Sequence, residues 1–64
     1  MTMTMQIFKL LKENPKGLQL HEIRKSLSKK TNSFIKTKTI AEGLARLERL
    51  GYTKQMSGCK FKIN

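Results

Sequence analysis

Few side chains in this sequence have the chemistry of a nucleophile, a proton-transfer group or a metal ligand. There is one cysteine, Cys59, and one histidine, His21. The four acids are scattered along the chain, at Glu13, Glu22, Glu42 and Glu48. A zinc site needs three or four ligands, and an activated nucleophile needs a base within reach and a group that orients that base. The sequence therefore predicts no enzyme, no metal site and no cofactor.

The side chains that dominate the sequence are cations, which bind anions. Fourteen Lys and Arg residues against four acids give a formal net charge of +10. Two stretches, residues 23–41 and 49–64, contain no acid, and their cations are Arg24, Lys25, Lys29, Lys30, Lys36, Lys38, Arg49, Lys54, Lys60 and Lys62. A charge of this size attracts polyanions, so the candidate partners are nucleic acid and an anionic membrane surface.

The elements that must hold these cations belong to one small domain, residues 1–64, because a chain of this length buries only about 60% of its unfolded surface. Apolar residues 7, 8, 10 and 11 predict a first helix that ends at Asn14, before Pro15. We expect residues 1–4 to be flexible. Leu20, Ile23 and Leu27 form the buried stripe of a second helix, and residues 18–20 form at most a bridge or a short edge strand.

The third helix has the clearest boundaries. Residues 39–42 fit a capping box, with Thr37 as a competing cap, and Gly51 follows the apolar stripe where a left-handed residue is favoured. That stripe consists of Ile40, Leu44, Leu47 and Leu50. Gly43, which costs about 1 kcal/mol relative to Ala inside a helix, indicates a close approach by DNA or another chain.

The segments on either side of the third helix are predicted as a loop and a hairpin. Residues 29–33 are polar and predict a loop, and Phe34 and Ile35 return the chain to the core. The alternative is a second helix that continues to Lys30. From Tyr52 the period changes to two, and Ser57-Gly58 is the expected hairpin turn.

This turn sets the strand register. It pairs Met56 with Cys59, Lys54 with Phe61 and Tyr52 with Ile63 on one face, and Gln55 with Lys60 and Thr53 with Lys62 on the other. We expect Tyr52, Phe61 and Phe34 to be core residues.

Two segments carry a resemblance to a known family. Residues 17–23, GLQLHEI, look like the start of a second helix, and residues 39–52, TIAEGLARLERLGY, are similar to a recognition helix that runs into a wing strand. On these segments the chain resembles the winged helix-turn-helix family of DNA-binding regulators over residues 5–63. The resemblance implies an α+β fold in which three helices precede a two-stranded β-hairpin wing, with a short third strand before the second helix.

The resemblance also implies which residues bind DNA. In the family, the third helix enters the major groove and the wing touches the backbone or the minor groove. The start of this helix then carries Lys36, Thr37, Lys38 and Thr39. Its outward face carries Glu42, Ala45, Arg46 and Arg49. The wing contributes Gln55, Ser57, Lys60 and Lys62. The cations Arg24, Lys25, Lys29 and Lys30 complete the set. We expect double-stranded DNA as the partner and a role in transcription regulation.

Several of these residues also have a plainer interpretation. Lys36 and Lys38 lie where the helix dipole disfavours cations by roughly 0.3–1 kcal/mol, so they either bind phosphate or belong to a solvated loop. Arg46 either reads guanine or pairs with Glu42 one turn away. The wing lysines either contact phosphate or protect an edge strand from aggregation.

Other partners stay open at this point. A winged helix also serves as a module that binds structured RNA or a protein, since a fold does not settle a function. Membrane binding through the first helix is disfavoured because its apolar residues are needed in the core. A homodimer is compatible with the sequence. We expect a cytoplasmic location, associated with the nucleoid, or a nuclear location if the protein is eukaryotic.

Overall fold

Three helices and one small antiparallel sheet of three strands make up the fold in the computed structural model, which describes residues 2–64. The elements are α1 (Met3–Glu13), β1 (Leu18–Gln19), α2 (Leu20–Thr31), α3 (Thr37–Arg49), β2 (Thr53–Met56) and β3 (Lys60–Ile63). The strand order is β1-β3-β2, with β3 in the centre. We call β2, β3 and the loop between them the wing. The predicted α+β fold, with three helices, a hairpin and a short strand before the second helix, is confirmed, and it is compatible with a winged helix layout.

The core lies between the three helices and is covered by one face of the sheet. Its buried residues are Ile7, Leu10, Leu11, Ile23, Leu27, Ile35, Ile40, Leu44 and Leu47. From the sheet, Leu18, Phe61 and Ile63 pack against this cluster and are partly buried. Most of these are apolar positions whose helical spacing or alternation predicted burial, so hydrophobic periodicity identifies most of the core.

Three apolar residues predicted in the core lie on the surface instead. Phe34 is 76% exposed, Leu50 61% and Tyr52 53%. Ile35 takes the core position of the α2–α3 connection and leaves its neighbour Phe34 outside. Leu50 and Tyr52 follow the end of α3, where Tyr52 packs edge-on against Phe8 with 5.6 Å between ring centroids.

The helix α1 begins earlier than predicted. Met3 and Thr4, which we expected to be flexible, belong to its first turn, because the Thr2 hydroxyl accepts a hydrogen bond from the Met5 amide at 3.2 Å. Met1 lies outside the described residues. The predicted end of the helix before Pro15 is confirmed, with Asn14 as its C-cap.

The helix α2 is longer than its apolar stripe and leaves a short connection to α3. Glu22 Oε1 accepts from the Gln19 amide at 2.8 Å in a capping box, and the helix runs to Thr31. Asn32 then adopts the left-handed conformation with φ of 55°. The interpretation in which the second helix continues to Lys30 is therefore the correct one.

The helix α3 begins at Thr37, with Lys36 as N-cap, so the capping box predicted at residues 39–42 is wrong. The Ile35 amide donates to Ser28 Oγ at 3.2 Å, which fixes the connection so that the helix begins directly after it. The predicted left-handed residue at the other end is confirmed: Gly51 has φ of 84°, and the Gly51 and Tyr52 amides donate to the Glu48 and Leu47 carbonyls.

Gly43 is the point where α1 crosses α3. A Cβ atom at this position would lie 2.6 Å from Ile7 Cδ1 and 3.7 Å from Thr4 Oγ1. The close approach that this glycine indicates is therefore made by α1 of the same chain, and not by DNA or another chain.

The wing has a different register from the predicted one. Thr53 pairs with Ile63, Lys54 with Lys62, Gln55 with Phe61 and Met56 with Lys60. The loop therefore has three residues, 57–59, instead of the two predicted, and its last two, Gly58 and Cys59, have positive φ. The shift of one residue moves Lys54 to the outward face and places Thr53 and Gln55 on the face that carries Phe61 and Ile63.

Candidate nucleic-acid interface

The start of α3 is open to solvent. Residues 36–39 are all exposed, and the first turn of the helix contains no acid. Lys36 and Lys38 are thus held at the positive end of the helix dipole, together with the hydroxyl groups of Thr37 and Thr39. Helix starts of this kind hold free backbone amides that can donate to an anion.

The outward face of α3 carries a row of exposed residues. Lys38, Glu42, Ala45 and Arg49 are exposed and lie opposite the buried residues of the helix. Arg46 and Thr39 flank this row on the side of Gly43, where they approach the start of α1.

Arg46 and Glu42 do not form the ion pair that one interpretation predicted. Among residues 2–64, the ion pair present joins Lys30 Nζ to Glu13 Oε1 at 4.0 Å, between two exposed side chains. The guanidinium of Arg46 is therefore available to a ligand, and its reading of guanine stays a prediction.

The cations of α2 lie on different sides of the helix. Lys30 faces α1 through its contact with Glu13. Lys25 and Lys29 line a shallow depression that also includes His21 and Glu22. The structure therefore does not gather the second-helix cations into one cluster, as the prediction of a single set of binding residues implied.

Arg24 lies over the ring of Phe34, with its guanidinium carbon 5.6 Å from the ring centroid. Phe34 lies in the connection just before α3, so this pair is next to the start of that helix. Sequence reasoning placed Phe34 in the core and missed it as a surface residue. No local pattern distinguishes it from its buried neighbour Ile35.

The outward face of the sheet is occupied by lysines. Lys54 is directly opposite Lys62 across β2 and β3, and Lys60 lies between Met56 and Gln19. The chain has no acid after Glu48, so nothing in the wing neutralises these three lysines. The predicted register paired Lys54 with Phe61 on the mostly apolar face, so Lys54 was not among the predicted site residues. Alternation of buried and exposed residues, counted from the buried Thr53, would have placed Lys54 on the outward face.

The remaining wing residues are less clearly placed for binding. Gln55 lies on the inward side of the sheet, opposite Phe61, but it is exposed because the hairpin extends beyond the core. Ser57 is exposed in the loop. The prediction that Gln55 shares the polar outward face with Lys60 is therefore wrong.

Hydrogen bonds fix the wing at both ends. At the tip, Gln19 Nε2 donates to the Gly58 carbonyl at 3.2 Å, which holds the loop close to the start of α2. At the base, Asn64 Nδ2 donates to the Gly51 carbonyl at 3.2 Å, and the Asn64 amide donates to Tyr52. These contacts limit how far the wing can swing relative to the helices.

The glycine before β1 permits close packing beside the wing lysines. Gly17 has φ of 92°, and a Cβ atom there would lie 3.1 Å from the Phe61 carbonyl and within 3.6 Å of the Cβ atoms of Lys60 and Lys62. A larger residue would displace β3 together with its lysines.

The described residues do not form the side-chain cluster of a metal site or a membrane-spanning helix. Within residues 2–64, no three His, Cys, Asp or Glu side chains lie together as they would around a metal ion. Cys59 is exposed in the wing loop, with a free thiol. In the same part of the chain, no helix combines the length and the apolar character that crossing a membrane requires.

Comparison with protein-family models, with curated proteins and with solved structures gives no match to this chain. Only the chain's own residues therefore indicate a function.

Proposed function

We propose that this protein binds double-stranded DNA, with α3 in the major groove and the wing on the phosphate backbone, and that it acts as a small transcription regulator in the compartment that holds the DNA. The observation that carries the proposal is the direct opposition of Lys54 and Lys62 on the outward face of the sheet. Like charges opposite each other in an antiparallel pair are destabilising, and each such pair costs on the order of 0.2–1 kcal/mol. A polyanion bound to this face removes that cost.

The start of α3 supports the same partner. Lys36 and Lys38 lie where the helix dipole disfavours cations, and no acid nearby compensates them. A phosphate group at this position interacts favourably with the lysines, the helix amides and the dipole.

The outward row of α3 suits the major groove. B-DNA has a major groove about 12 Å wide, which admits an α-helix. The exposed residues Lys38 and Arg49 are of the types that contact guanine or phosphate. Arg46 flanks this row, and it forms no ion pair within residues 2–64.

Duplex DNA fits this geometry better than double-stranded RNA does. The A-form major groove is deep and narrow, and side chains cannot read it, so a projecting helix gains little there. Structured RNA and a protein partner are therefore outcomes of the experiment rather than the proposal. The homodimer suggested by the sequence is tested by sedimentation of the free protein, and a single species with the mass of one chain would exclude it.

The salt dependence of the affinity tests the proposal. We assume that five lysines each neutralise one phosphate: Lys36, Lys38, Lys54, Lys60 and Lys62. The logarithm of the affinity for a labelled duplex then falls with the logarithm of the salt concentration at a slope of about −4.5. Replacing Lys54 by Gln makes the slope shallower by about 0.9, whereas Lys9→Gln on the exposed surface of α1 leaves it unchanged.

Two results would refute this proposal. One is an affinity that does not vary with salt or cannot be measured with any duplex. The other is displacement of the duplex by a much lower concentration of structured RNA than of unlabelled duplex DNA.

A further inference from the structure

Phe34 is an exposed aromatic residue that folding does not explain. It is 76% exposed, more than any other large apolar side chain among the described residues, while Ile35 beside it is buried. The connection between α2 and α3 is fixed by the backbone of Asn32 and by the hydrogen bond from Ile35 to Ser28, neither of which needs an aromatic ring at position 34.

The ring is held in place by Arg24. Arg24 is a half-buried residue whose guanidinium carbon lies 5.6 Å from the ring centroid, and it has no acidic partner among residues 2–64. A cation–π contact at an exposed site stabilises a protein less than burial of the ring would. The contact therefore orients Phe34 more than it contributes to folding.

The location of the Phe34 ring determines which part of a bound DNA duplex it can contact. Two residues, Ile35 and Lys36, separate Phe34 from α3. The ring is therefore near the N-terminal end of this helix, and in helix-turn-helix proteins the residues at that end of the recognition helix contact base edges in the major groove. Its neighbours Arg24, Lys36 and Lys38 provide the contacts to phosphate. An apolar ring among these cations needs an apolar group on the DNA, and the major-groove base edges offer one, the C5-methyl group of thymine.

We propose that Phe34, oriented by Arg24, contacts the C5-methyl group of thymine in the major groove of duplex DNA. This inference rests on the proposed DNA binding and names the base that the connection before α3 prefers. It assigns Phe34 a role in specificity, in addition to the lysine contacts that provide affinity.

Two duplexes that differ only in this methyl group test the inference. The first duplex has only A·T pairs, apart from the pairs that close its two ends. The second duplex has the same sequence with uracil at every thymine position. The wild-type protein is expected to bind the thymine duplex about fourfold more tightly, the effect of burying one methyl group. The Phe34→Ala variant is expected to bind both duplexes equally.

Tyr52→Ala is the matched control, because it also removes an exposed aromatic ring, at the other end of α3. It should keep the fourfold preference. Thermal unfolding of each variant verifies its fold, and Phe34→Gln replaces Phe34→Ala if the latter does not fold.

The outcomes separate this inference from the proposed function. Equal wild-type affinity for both duplexes, or a thymine preference that survives loss of the ring, overturns the inference and leaves duplex binding established. Failure to bind either duplex overturns both.

Discussion

Lys54 and Lys62 are residues whose placement favours binding over folding. A single lysine on a protein surface needs no explanation. Here, however, the strand register places two lysines directly opposite each other, and the wing contains no acid. If their purpose were only to protect an edge strand, they would not need to face each other, and β3 is the central strand of the sheet. Stability and affinity should therefore respond in opposite directions when this pair is changed.

The substitution Lys54→Glu tests this expectation. A salt bridge to Lys62 replaces the repulsion, so the free energy of unfolding should rise by up to about 1 kcal/mol. Affinity for duplex DNA should fall on the order of tenfold at low salt, because a phosphate contact is replaced by repulsion. Lys9→Glu makes the same change of charge on α1 and should produce neither effect. Denaturant unfolding and DNA titration of both variants provide the comparison, and a parallel rise or fall of stability and affinity would contradict this view of the pair.

Thr53 gives a second prediction at the scale of a residue. It is 3% exposed, and its hydroxyl group has no hydrogen-bond partner in the described part of the chain. A buried polar group without a partner costs about 1–3 kcal/mol, whereas Val has the same shape and no polar atom. Thr53→Val should therefore raise the free energy of unfolding by about 1 kcal/mol in guanidinium titrations. Thr39→Val, at an exposed site, serves as the control, and a destabilised Thr53→Val protein would mean that the hydroxyl is satisfied.

Among the elements, the crossing of α1 and α3 depends on one missing side chain. Gly43 lets the buried Ile7 approach the helix backbone, and a methyl group there has no room while Ile7 keeps its Cδ1 atom. Gly43→Ala gains about 1 kcal/mol of helix propensity but costs about 1–3 kcal/mol by overpacking.

A double-mutant cycle separates these two contributions. In the natural background, Gly43→Ala should lower the free energy of unfolding by about 1 kcal/mol. In an Ile7→Val background, which removes Cδ1, the same change should raise it by about 1 kcal/mol. The coupling of about 2 kcal/mol is measured by denaturant unfolding of the four proteins. Equal effects in both backgrounds would show that α1 does not contact Gly43.

The helices could be predicted from the sequence because several signals agree at each of them. Ile23 and Leu27 share a helical face, Pro15 limits the first helix, and Gly51 ends the third. The start of the third helix was misplaced because Thr39 has the residue types of a capping box, while the position of the helix is fixed by the burial of Ile35.

The wing register could not be predicted, because Gly58 is compatible with a two-residue turn and with a three-residue loop. Met56 and Cys59 favoured the wrong choice: they suggested an apolar face, yet both are exposed. The same shift explains why Lys54 was missed and why Gln55 was assigned to the wrong face. Candidate residues whose prediction depended only on exposure, such as Lys36 and Lys60, are exposed as expected.

At the scale of the whole molecule, fourteen cations outnumber four acids, and two of these acids have structural contacts. Glu13 pairs with Lys30 on the side of α1, and Glu22 caps α2. The molecule measures 28 × 21 × 20 Å, less than one turn of B-DNA, which is roughly 34 Å long. In the proposed complex one copy therefore covers a short site, and we expect its affinity to depend strongly on the attraction between a charge of +10 and the phosphate backbone.

A titration of ¹⁵N-labelled protein with a short DNA duplex, followed by amide chemical shifts at physiological salt, tests the central claim most directly. The proposed binding mode predicts that the perturbed amides cluster in residues 34–49 and in the wing, while those around Lys9 in α1 change little. No perturbation in excess duplex, or perturbation confined to α1, would contradict the proposal that the third helix and the lysine face of the sheet bind duplex DNA.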